Sequence, residues 1–224
     1  YALVDVGRDP TLIQRCLTKV GVRKISLLVL THFDLDHVAG LPGVLDQVQV
    51  KKALLTQFID VRPGALDAEN LLASYRIPIQ KVSLGDSGFL GGSSQKLSWL
   101  VLSPHQAGQD STSANDGSVS MFWQARHFNI FTMADLPATG QQRLMDERRL
   151  WWKPEYKSRP TILKLSHHGS ADQDPEFLDW VHPLITTISV GAGNPYGHPT
   201  EKALSIVFDE SSFTKTASIL CDRG

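Results

Sequence analysis

The chain has 224 residues, of which 42% are hydrophobic and 20% charged, as in a globular rather than a disordered protein. No apolar run approaches the roughly eighteen residues that a membrane-spanning helix needs. The formal net charge is −1, which argues against a broad basic surface that binds nucleic acid by phosphate neutralisation alone. A net charge this close to zero does not by itself exclude a polyanionic substrate.

The first third of the chain alternates between strand and helix patterns. Residues 2–6, apolar except for Asp5, predict a buried strand. Asp9-Pro10 then supplies a helix N-cap with proline at the first helical position. Residues 25–30 are continuously apolar, which is typical of a strand buried on both faces. The pattern then predicts a helix over 41–48, a strand over 53–56, a helix over 67–75 and a strand over 79–82.

The remainder of the chain predicts further strands and then helices. Residues 85–94 contain four glycines and predict a turn region. Because no Gly-Lys-Ser or Gly-Lys-Thr follows them, we expect no nucleotide cofactor. Residues 106–118 form a long polar loop, which on a compact α/β fold is commonly functional. The predicted strands cover 97–102, 119–124, 128–133, 161–166, 184–190 and 217–221, and the predicted helices cover 140–150, 175–180 and 200–208.

These elements indicate an α/β (α+β) fold with one domain over residues 1–224, in which helices flank two β-layers as an αββα sandwich. The chain opens inside a strand-like run at Tyr1, so we expect a fragment of a larger protein. Two cysteines, Cys16 and Cys221, are too few to argue for a disulfide framework. Cys16 lies on the apolar stripe of the first helix, and we interpret it as a small buried hydrophobic residue.

The most informative stretch begins at Thr31 and reads Thr-His-Phe-Asp-Leu-Asp-His-Val-Ala-Gly. In an extended backbone, side chains two residues apart point to the same side, so His32 and Asp34 can converge on one point. Asp36 and His37 come where the chain turns toward a helical pattern, so they can face a second point. Two neighbouring sets of imidazole and carboxylate groups suggest two cations that share and activate a water molecule.

The alternative for this stretch is an acidic loop whose histidines only cap a helix. The metal hypothesis gains support because further candidate side chains recur at predicted strand ends, namely Asn115, Asp116, Asp135, His167, His168 and His198. A donor set rich in carboxylate and poor in imidazole is hard, so two Mn²⁺ ions are at least as plausible as two Zn²⁺ ions.

The order of these residues resembles a known family. The series comprises His-x-Asp-x-Asp-His-x-x-Gly at 32–40, Asn-Asp-x-Ser-Val at 115–119, an apolar strand ending in Asp135, Leu-Ser-His-His-Gly-Ser at 165–170 and Ser-Val-Gly-x-x-Asn-x-Tyr-Gly-His-Pro at 189–199. This series is similar to the metallo-β-lactamase superfamily, and most like the carboxy-terminal domain of ComEC, the DNA-uptake channel protein of competent bacteria. The resemblance runs from Asp5 to about Phe208.

The resemblance implies a role for each candidate residue. It implies a four-layer αββα sandwich with metal ligands His32, Asp34, Asp36, His37, Asp116, Asp135 and His167, among which Asp135 bridges both ions. It makes Asp36 and His198 catalytic. The implied substrate-binding residues are Asn115, His168, Ser170, Asn194 and His198. The sequence departs from the superfamily at Asp34, where histidine is commoner, and at Asn115-Asp116, where most relatives carry a third histidine.

Three assignments stay open at this stage. Asp116 completes the shell of the first metal, or Asn115 does, or the pair only caps a turn, since Asn-Asp-Gly is a strong turn signal. His168 contacts a phosphate, supports a ligand or simply packs. Trp151 and Trp152 stack on bases or pack in the core or at an interface, and packing is the preferred interpretation.

The resemblance implies a metal-dependent phosphodiesterase that degrades DNA, namely the non-transported strand during natural transformation. It also implies single-stranded DNA as the partner, a membrane channel in the same polypeptide and a position on the extracytoplasmic side of a bacterial cell membrane. Two alternatives remain on the same fold. One is a hydrolase of a small ester, thioester or phosphodiester, and the other is a non-catalytic domain that binds DNA or a protein partner.

Overall fold

The computed structural model describes residues 1–92, 96–105, 113–191 and 194–209. Within them the chain divides into two compact units. The first unit contains Tyr1–Ser83 and Pro104–Val119, and the second contains Leu84–Ser103 and the residues from Ser120 onward. Each unit is built on its own β-sheet, and the expectation of one domain over residues 1–224 stays a prediction. No described helix is long and apolar enough to cross a bilayer.

A parallel sheet forms the centre of the first unit. In chain order the elements are β1 (Ala2–Val4), α1 (Pro10–Lys19), β2 (Lys24–Ile25), β3 (Leu27–Leu30), α2 (Leu35–Val38), α3 (Leu41–Leu45), β4 (Gln49–Val50), β5 (Ala53–Thr56), α4 (Pro63–Ser74) and β6 (Ile79–Val82). The sheet has the strand order β1-β3-β5-β6, and β2 pairs separately with β4. Every residue of β3 and of β5 is buried, as expected for parallel strands covered on both faces.

The helices of the first unit pack on this sheet through one apolar cluster. Helix α1 begins as predicted, because the Asp9 carboxylate accepts hydrogen bonds from two N–H groups of its first turn. Leu17 of α1, Val44 of α3 and Leu72 of α4 share their buried cluster with Leu28 of β3. The cluster therefore fixes the strand from which the His32 stretch emerges.

A mixed sheet forms the centre of the second unit. In chain order the elements are β7 (Ser87–Leu90), β8 (Leu97–Ser103), β9 (Ser120–Gln124), β10 (Asn129–Thr132), α5 (Ala138–Asp146), α6 (Arg148–Trp151), β11 (Thr161–Lys164), α7 (Pro175–Val181), β12 (Ile185–Thr187) and α8 (Glu201–Asp209). The strand order is β12-β11-β10-β9-β8-β7. Strands β10, β11 and β12 are parallel, whereas β7 to β10 are antiparallel. The carboxyl ends of β10 and β11 therefore lie at one edge of the sheet.

The predicted turn over residues 85–94 is wrong, because β7 lies within it and pairs with β8. A Cβ atom on Gly88 would come within 2.6 Å of the Trp99 ring on the opposite strand. The glycine therefore makes room for a cross-strand indole and does not interrupt the strand. The predicted helix over 140–150 is also divided, since α5 ends at Asp146 and α6 follows.

The interpretation of Cys16 as a small buried hydrophobic residue is wrong as well. Its side chain is only half-buried, and Cys16 is disulfide-bonded. The second cysteine, Cys221, and the predicted strand over 217–221 lie outside the described residues, as does the first part of the predicted loop at 106–112.

Close packing of α3 on α1 depends on Gly43. A Cβ atom there would overlap the carbonyl oxygen of Pro10, and a backbone atom cannot yield as a flexible side chain does. We expect Gly43→Ala to lower the free energy of unfolding by about 1–3 kcal/mol, as overpacking generally does. Urea unfolding measures it, with Gly92→Ala as the control because a Cβ there meets nothing within 4 Å. Equal stabilities of the two variants would contradict this account of α3 packing.

Candidate functional site

The His32 stretch leaves the buried strand β3 and enters α2 within four residues. Asp34 occupies the N-cap position of α2, but no side-chain hydrogen bond caps that helix. Instead, Nε2 of His32 lies 3.6 Å from Oδ2 of Asp34, and Nε2 of His37 lies 3.8 Å from Oδ2 of Asp36. The ring centroids of His32 and His37 are 4.1 Å apart. The helix-capping alternative therefore does not describe this stretch.

These nitrogen-to-oxygen separations suit a shared cation. They are too long for good hydrogen bonds. Two ligands that each lie about 2.0–2.1 Å from one metal ion are separated by up to about 4 Å. The donor types and the spacing of both pairs, His32 with Asp34 and His37 with Asp36, thus fit metal ions, while the role of these residues as ligands stays a prediction.

Asp5 orients His37, and the sequence analysis gave it no role. Its carboxylate accepts hydrogen bonds from the N–H and the hydroxyl of Thr31 at 2.8 and 2.9 Å, and lies 2.8 Å from Nδ1 of His37. Burial opposes ionisation of Asp5, but the His37 imidazole and Thr31 hold its pKa below the usual value. The pairing places the His37 proton on Nδ1 and leaves the Nε2 lone pair available for a cation.

Arg62 holds the carboxylate of Asp34 in place. Its Nη1 lies 2.6 Å from Oδ1 of Asp34, and its remaining donors bind Asp60. The His32 imidazole first, and then Arg62, hold the pKa of Asp34 well below its usual value, although partial burial acts in the opposite direction. Asp34 therefore stays ionised, with Oδ2 facing His32. No sequence pattern connects Arg62 with Asp34, which lies 28 positions earlier.

Asn115 and Asp116 lie in a turn of the first unit. The N–H of Asp116 donates to the Ser113 hydroxyl at 3.2 Å, and the N–H of Val119 donates to the carbonyl of Thr31 at 2.9 Å. The turn is therefore attached to the residue that precedes His32, and Asp116 is buried. The local turn expected from Asn-Asp-Gly is present, and a ligand role for either residue stays a prediction.

In the second unit, Asp135 lies just beyond β10 and faces two histidines. Its Oδ2 is 3.8 Å from Nε2 of His167 and 3.6 Å from Nε2 of His168, the same spacing as in the first unit. Asp135 is buried, and Pro137 rather than Asp135 is the N-cap of α5. A helix cap therefore does not explain the carboxylate, and a second donor set rich in imidazole and carboxylate is present here.

His168 is as well placed as His167 to bind a metal ion. Its Nδ1 lies 2.6 Å from the carbonyl oxygen of Ser189, so this nitrogen carries the proton. Nε2 then presents a lone pair on the side of Asp135. A metal-ligating histidine usually donates its second ring N–H to a carbonyl or carboxylate, and Nδ1 of His168 has such a partner in the Ser189 carbonyl.

Left-handed backbone conformations concentrate at these strand ends. Six described residues other than glycine have positive φ, and four of them adjoin or belong to the donor sets, namely Asp5 (57°), Ala134 (49°), His167 (46°) and His168 (53°). Such conformations cost of the order of 1–3 kcal/mol each and persist where the surroundings determine them, commonly at functional sites. The N–H of His167 donates to the carbonyl of Ala134 at 2.9 Å, which joins two of these positions.

His198 is held close to His167 by its own loop. The Asn194 side chain accepts hydrogen bonds from the N–H groups of Tyr196 and His198 and donates to the His198 carbonyl at 2.7 Å. The His198 and His167 ring centroids are 5.6 Å apart. The oxygen and the NH2 group of the Asn194 amide therefore both form hydrogen bonds within the loop. A substrate contact for Asn194 stays a prediction.

Gly169 and Ser170 connect the histidine pair with this loop. Gly169 has φ of +77°, and a Cβ atom there would lie 2.8 Å from the Pro199 side chain, so glycine permits the close approach. Ser170 is buried, and its hydroxyl accepts a hydrogen bond from the N–H of Asp172 at 3.3 Å. These contacts give both residues local structural roles, while substrate binding by Ser170 stays a prediction.

Comparison with known proteins agrees with the resemblance seen in the sequence. Residues 1–97 match the family model of the metallo-beta-lactamase superfamily. The chain is 28% identical over 192 residues to ComE operon protein 3 of Bacillus subtilis (strain 168), which covers 85% of this chain and 23% of that protein. It is 34% identical over 67 residues to ribonuclease Z of Bradyrhizobium sp. (strain ORS 278), which covers 29% of this chain and 21% of that protein. The chain thus spans less than a quarter of these curated relatives.

A solved structure confirms the fold class. A mutant of the CmlA beta-hydroxylase superposes with a TM-score of 0.54 over 88% of this chain and 44% of that chain, at 9% sequence identity. At this identity the likeness concerns the fold alone. Together with the match of residues 1–97 to the superfamily model, this likeness confirms the predicted α/β class and the metallo-β-lactamase fold.

The pairing of Asp5 with His37 has a direct spectroscopic consequence. We expect the metal-free protein to hold His37 as the Nδ1–H tautomer, and Asp5→Asn to lose this preference because an amide offers a weaker acceptor than a carboxylate. Nitrogen-15 NMR of the imidazole nitrogens measures the tautomer. Asp67→Asn, at an exposed position, serves as the control. An unchanged His37 tautomer in Asp5→Asn would contradict the role of Asp5.

Proposed function

We propose that this chain, a metallo-β-lactamase-fold domain related to ComE operon protein 3, is a metal-dependent phosphodiesterase that hydrolyses DNA. The observation that carries the proposal is the repeated spacing of imidazole nitrogen and carboxylate oxygen. Four such pairs at 3.6–3.8 Å occur on the described residues, two in each unit. Hydrolysis of phosphodiesters is chemistry for which pairs of divalent ions are well suited.

We assign the metal-binding role to residues of both units. The ligands are His32, Asp34, Asp36, His37 and Asp116 in the first unit and Asp135 and His167 in the second, with His168 as a further ligand candidate beyond its predicted substrate contact. When bound, two Mn²⁺ or Zn²⁺ ions supply charge neutralisation for the phosphate and a more acidic water molecule. The chain itself contributes fixed donor orientations, because Asp5, Arg62 and the Ser189 carbonyl each restrain one donor side chain.

Two side chains are suited to proton transfer. Asp36 is half-exposed, so its carboxylate can accept a proton from an attacking water molecule. His198 is held by Asn194 close to His167, and its imidazole can donate a proton to the departing sugar oxygen. Asn115, His168 and Ser170 are proposed to contact the nucleic-acid backbone.

The cellular setting is proposed from the resemblance to the DNA-uptake protein. The substrate is then single-stranded DNA, the non-transported strand in natural transformation, and the remainder of the polypeptide forms a membrane channel. The disulfide bond of Cys16 favours the extracytoplasmic side, because disulfides persist in oxidising compartments.

Metal-dependent DNA cleavage tests this function. The metal-stripped chain is incubated with end-labelled single-stranded DNA, with Mn²⁺, Zn²⁺ or Mg²⁺ restored in turn. We expect cleavage with at least one ion, and at least a roughly 100-fold loss in Asp36→Ala, His37→Ala, because one donor pair is gone. The matched control is Asp67→Ala, His127→Ala, which removes the same residue types from exposed positions.

Two results would count against DNA hydrolysis. One is the absence of cleavage with every ion. The other is hydrolysis of bis-p-nitrophenyl phosphate or a thioester with no action on DNA, which would favour the small-molecule alternative. Equal loss in the two double variants would mean that the His32 stretch has no special role.

The role of His198 can be separated from metal binding. We expect His198→Gln to lower kcat on DNA by about 100-fold, a typical contribution of general acid catalysis, while bound metal is unchanged. The phosphodiester bis-p-nitrophenyl phosphate has a good leaving group that needs little protonation. Its hydrolysis by His198→Gln should therefore fall much less than DNA cleavage does. Equal losses on both substrates would contradict proton donation by His198.

A further inference from the structure

A cationic groove lies in the second unit, on residues that the proposed catalytic machinery does not use. Its volume is about 570 Å³, within the range of roughly 300–1,000 Å³ that is usual for ligand pockets. It opens where α5 ends, along α6, and its lining includes Asp146, Arg148, Arg149, Trp152, Lys157 and Trp180.

The charge of the groove differs from that of the chain. Three cationic side chains and one carboxylate give the lining a net charge of +2, whereas the whole chain carries −1. Arg149 and Lys157 are exposed, and over the described ranges neither has an ion-pair partner. Arg148 donates to the carbonyl of Met145, which directs its guanidinium along the end of α5. The groove therefore offers positive charge to an anionic ligand.

Two tryptophans give the groove a rigid aromatic wall. The half-buried Trp152 and Trp180 have ring centroids 4.6 Å apart and planes inclined at 70°. Trp152 also packs against Phe122 and Tyr156 at 5.7 and 5.2 Å. Trp151, in contrast, is 6% exposed and lies in the buried cluster, against which Trp152 packs from its edge, so core packing is confirmed for both residues. The indoles at the groove are thus fixed by the core while part of each remains accessible.

We propose that the cationic groove binds single-stranded nucleic acid outside the catalytic residues. Arg148, Arg149 and Lys157 would contact phosphates, and a base would pack on Trp152 and Trp180, since cations combined with aromatic rings are how proteins hold unpaired strands. The choice of DNA rather than RNA rests on the proposed function. An anionic membrane would need a broader basic face than these three residues provide.

Binding to oligothymidylate by the metal-free chain tests the groove without any cleavage. Fluorescence anisotropy gives the affinity from 50 to 200 mM salt. We expect Arg149→Gln, Lys157→Gln to bind more weakly, with a log K against log salt slope flatter by about 1.4, because each lost contact to a single strand contributes about 0.7. The matched control, Arg23→Gln, Lys51→Gln, removes the same charges from exposed positions of the first unit.

Tryptophan fluorescence locates the bound strand. Trp180→Phe preserves an aromatic ring and the packing around it, so it should remain folded and bind with similar affinity. It should nevertheless lose part of the quenching that oligothymidylate causes in the unaltered chain. Unchanged quenching would place the bases elsewhere and overturn the stacking assignment.

Two further outcomes would overturn the proposal that the cationic groove binds single-stranded nucleic acid. One is the same affinity and salt slope in both charge variants. The other is binding to phosphatidylserine vesicles, lost in Arg149→Gln, Lys157→Gln, with no binding of oligothymidylate. Binding is measured without metal, so a lack of DNA cleavage would not affect a positive result for oligothymidylate binding in the groove. Likewise, a lack of oligothymidylate binding in the groove would not affect the test of DNA cleavage.

Discussion

The first unit depends on the partly buried carboxylate of Asp5, whose side chain is 16% exposed. It joins the end of β1, Thr31 at the end of β3 and His37 in α2 through contacts of 2.8–2.9 Å. A buried charge destabilises a protein unless it is paired and hydrogen-bonded, so these partners stabilise one arrangement of three chain segments. Glycine at position 40 allows the closest approach, because a Cβ there would overlap the carbonyl of Val6. The same contacts that fold this corner therefore orient the His37 imidazole.

The second unit fixes its donors by a different device. Ala134, His167 and His168 adopt left-handed conformations at the ends of two parallel strands, and the N–H of His167 binds the carbonyl of Ala134. Gly169 and Asn194 then hold the loop that carries His198. Donors held before a ligand arrives need no reordering, which favours both metal binding and catalysis. In both units, residues with left-handed backbone conformations therefore adjoin or belong to the donor sets, although Arg76 and His182 show that such conformations also occur elsewhere.

How much was predictable depended on how local each feature is. The His32 stretch was visible because alternation along an extended chain and one helical turn decide which of its side chains share a side. Asp5 and Arg62 were not assigned, because their partners lie 32 and 28 positions away and meet only after parallel strands have paired. Strand β7 was missed because Gly88 looked like a turn residue until the indole of Trp99 was placed opposite it.

The aromatic residues show the same limit. Helical spacing could not predict that the neighbouring residues Trp151 and Trp152 differ in burial. Trp151 is buried, whereas Trp152 is half-buried beside three cationic residues of the groove. Lys157 and Trp180 come from later elements, so the groove exists only in the folded second unit. By contrast, the order of the His- and Asp-containing motifs was enough to predict the fold class, since these motifs follow the strand ends in the order of the chain.

The most direct measurement for the central claim is the number of divalent ions bound per folded chain. Equilibrium dialysis of the chain against Mn²⁺ or Zn²⁺, followed by elemental analysis, gives this number without reference to any substrate. The account predicts two ions per chain at saturation. Binding of one ion or none by the folded chain would contradict a two-metal phosphodiesterase.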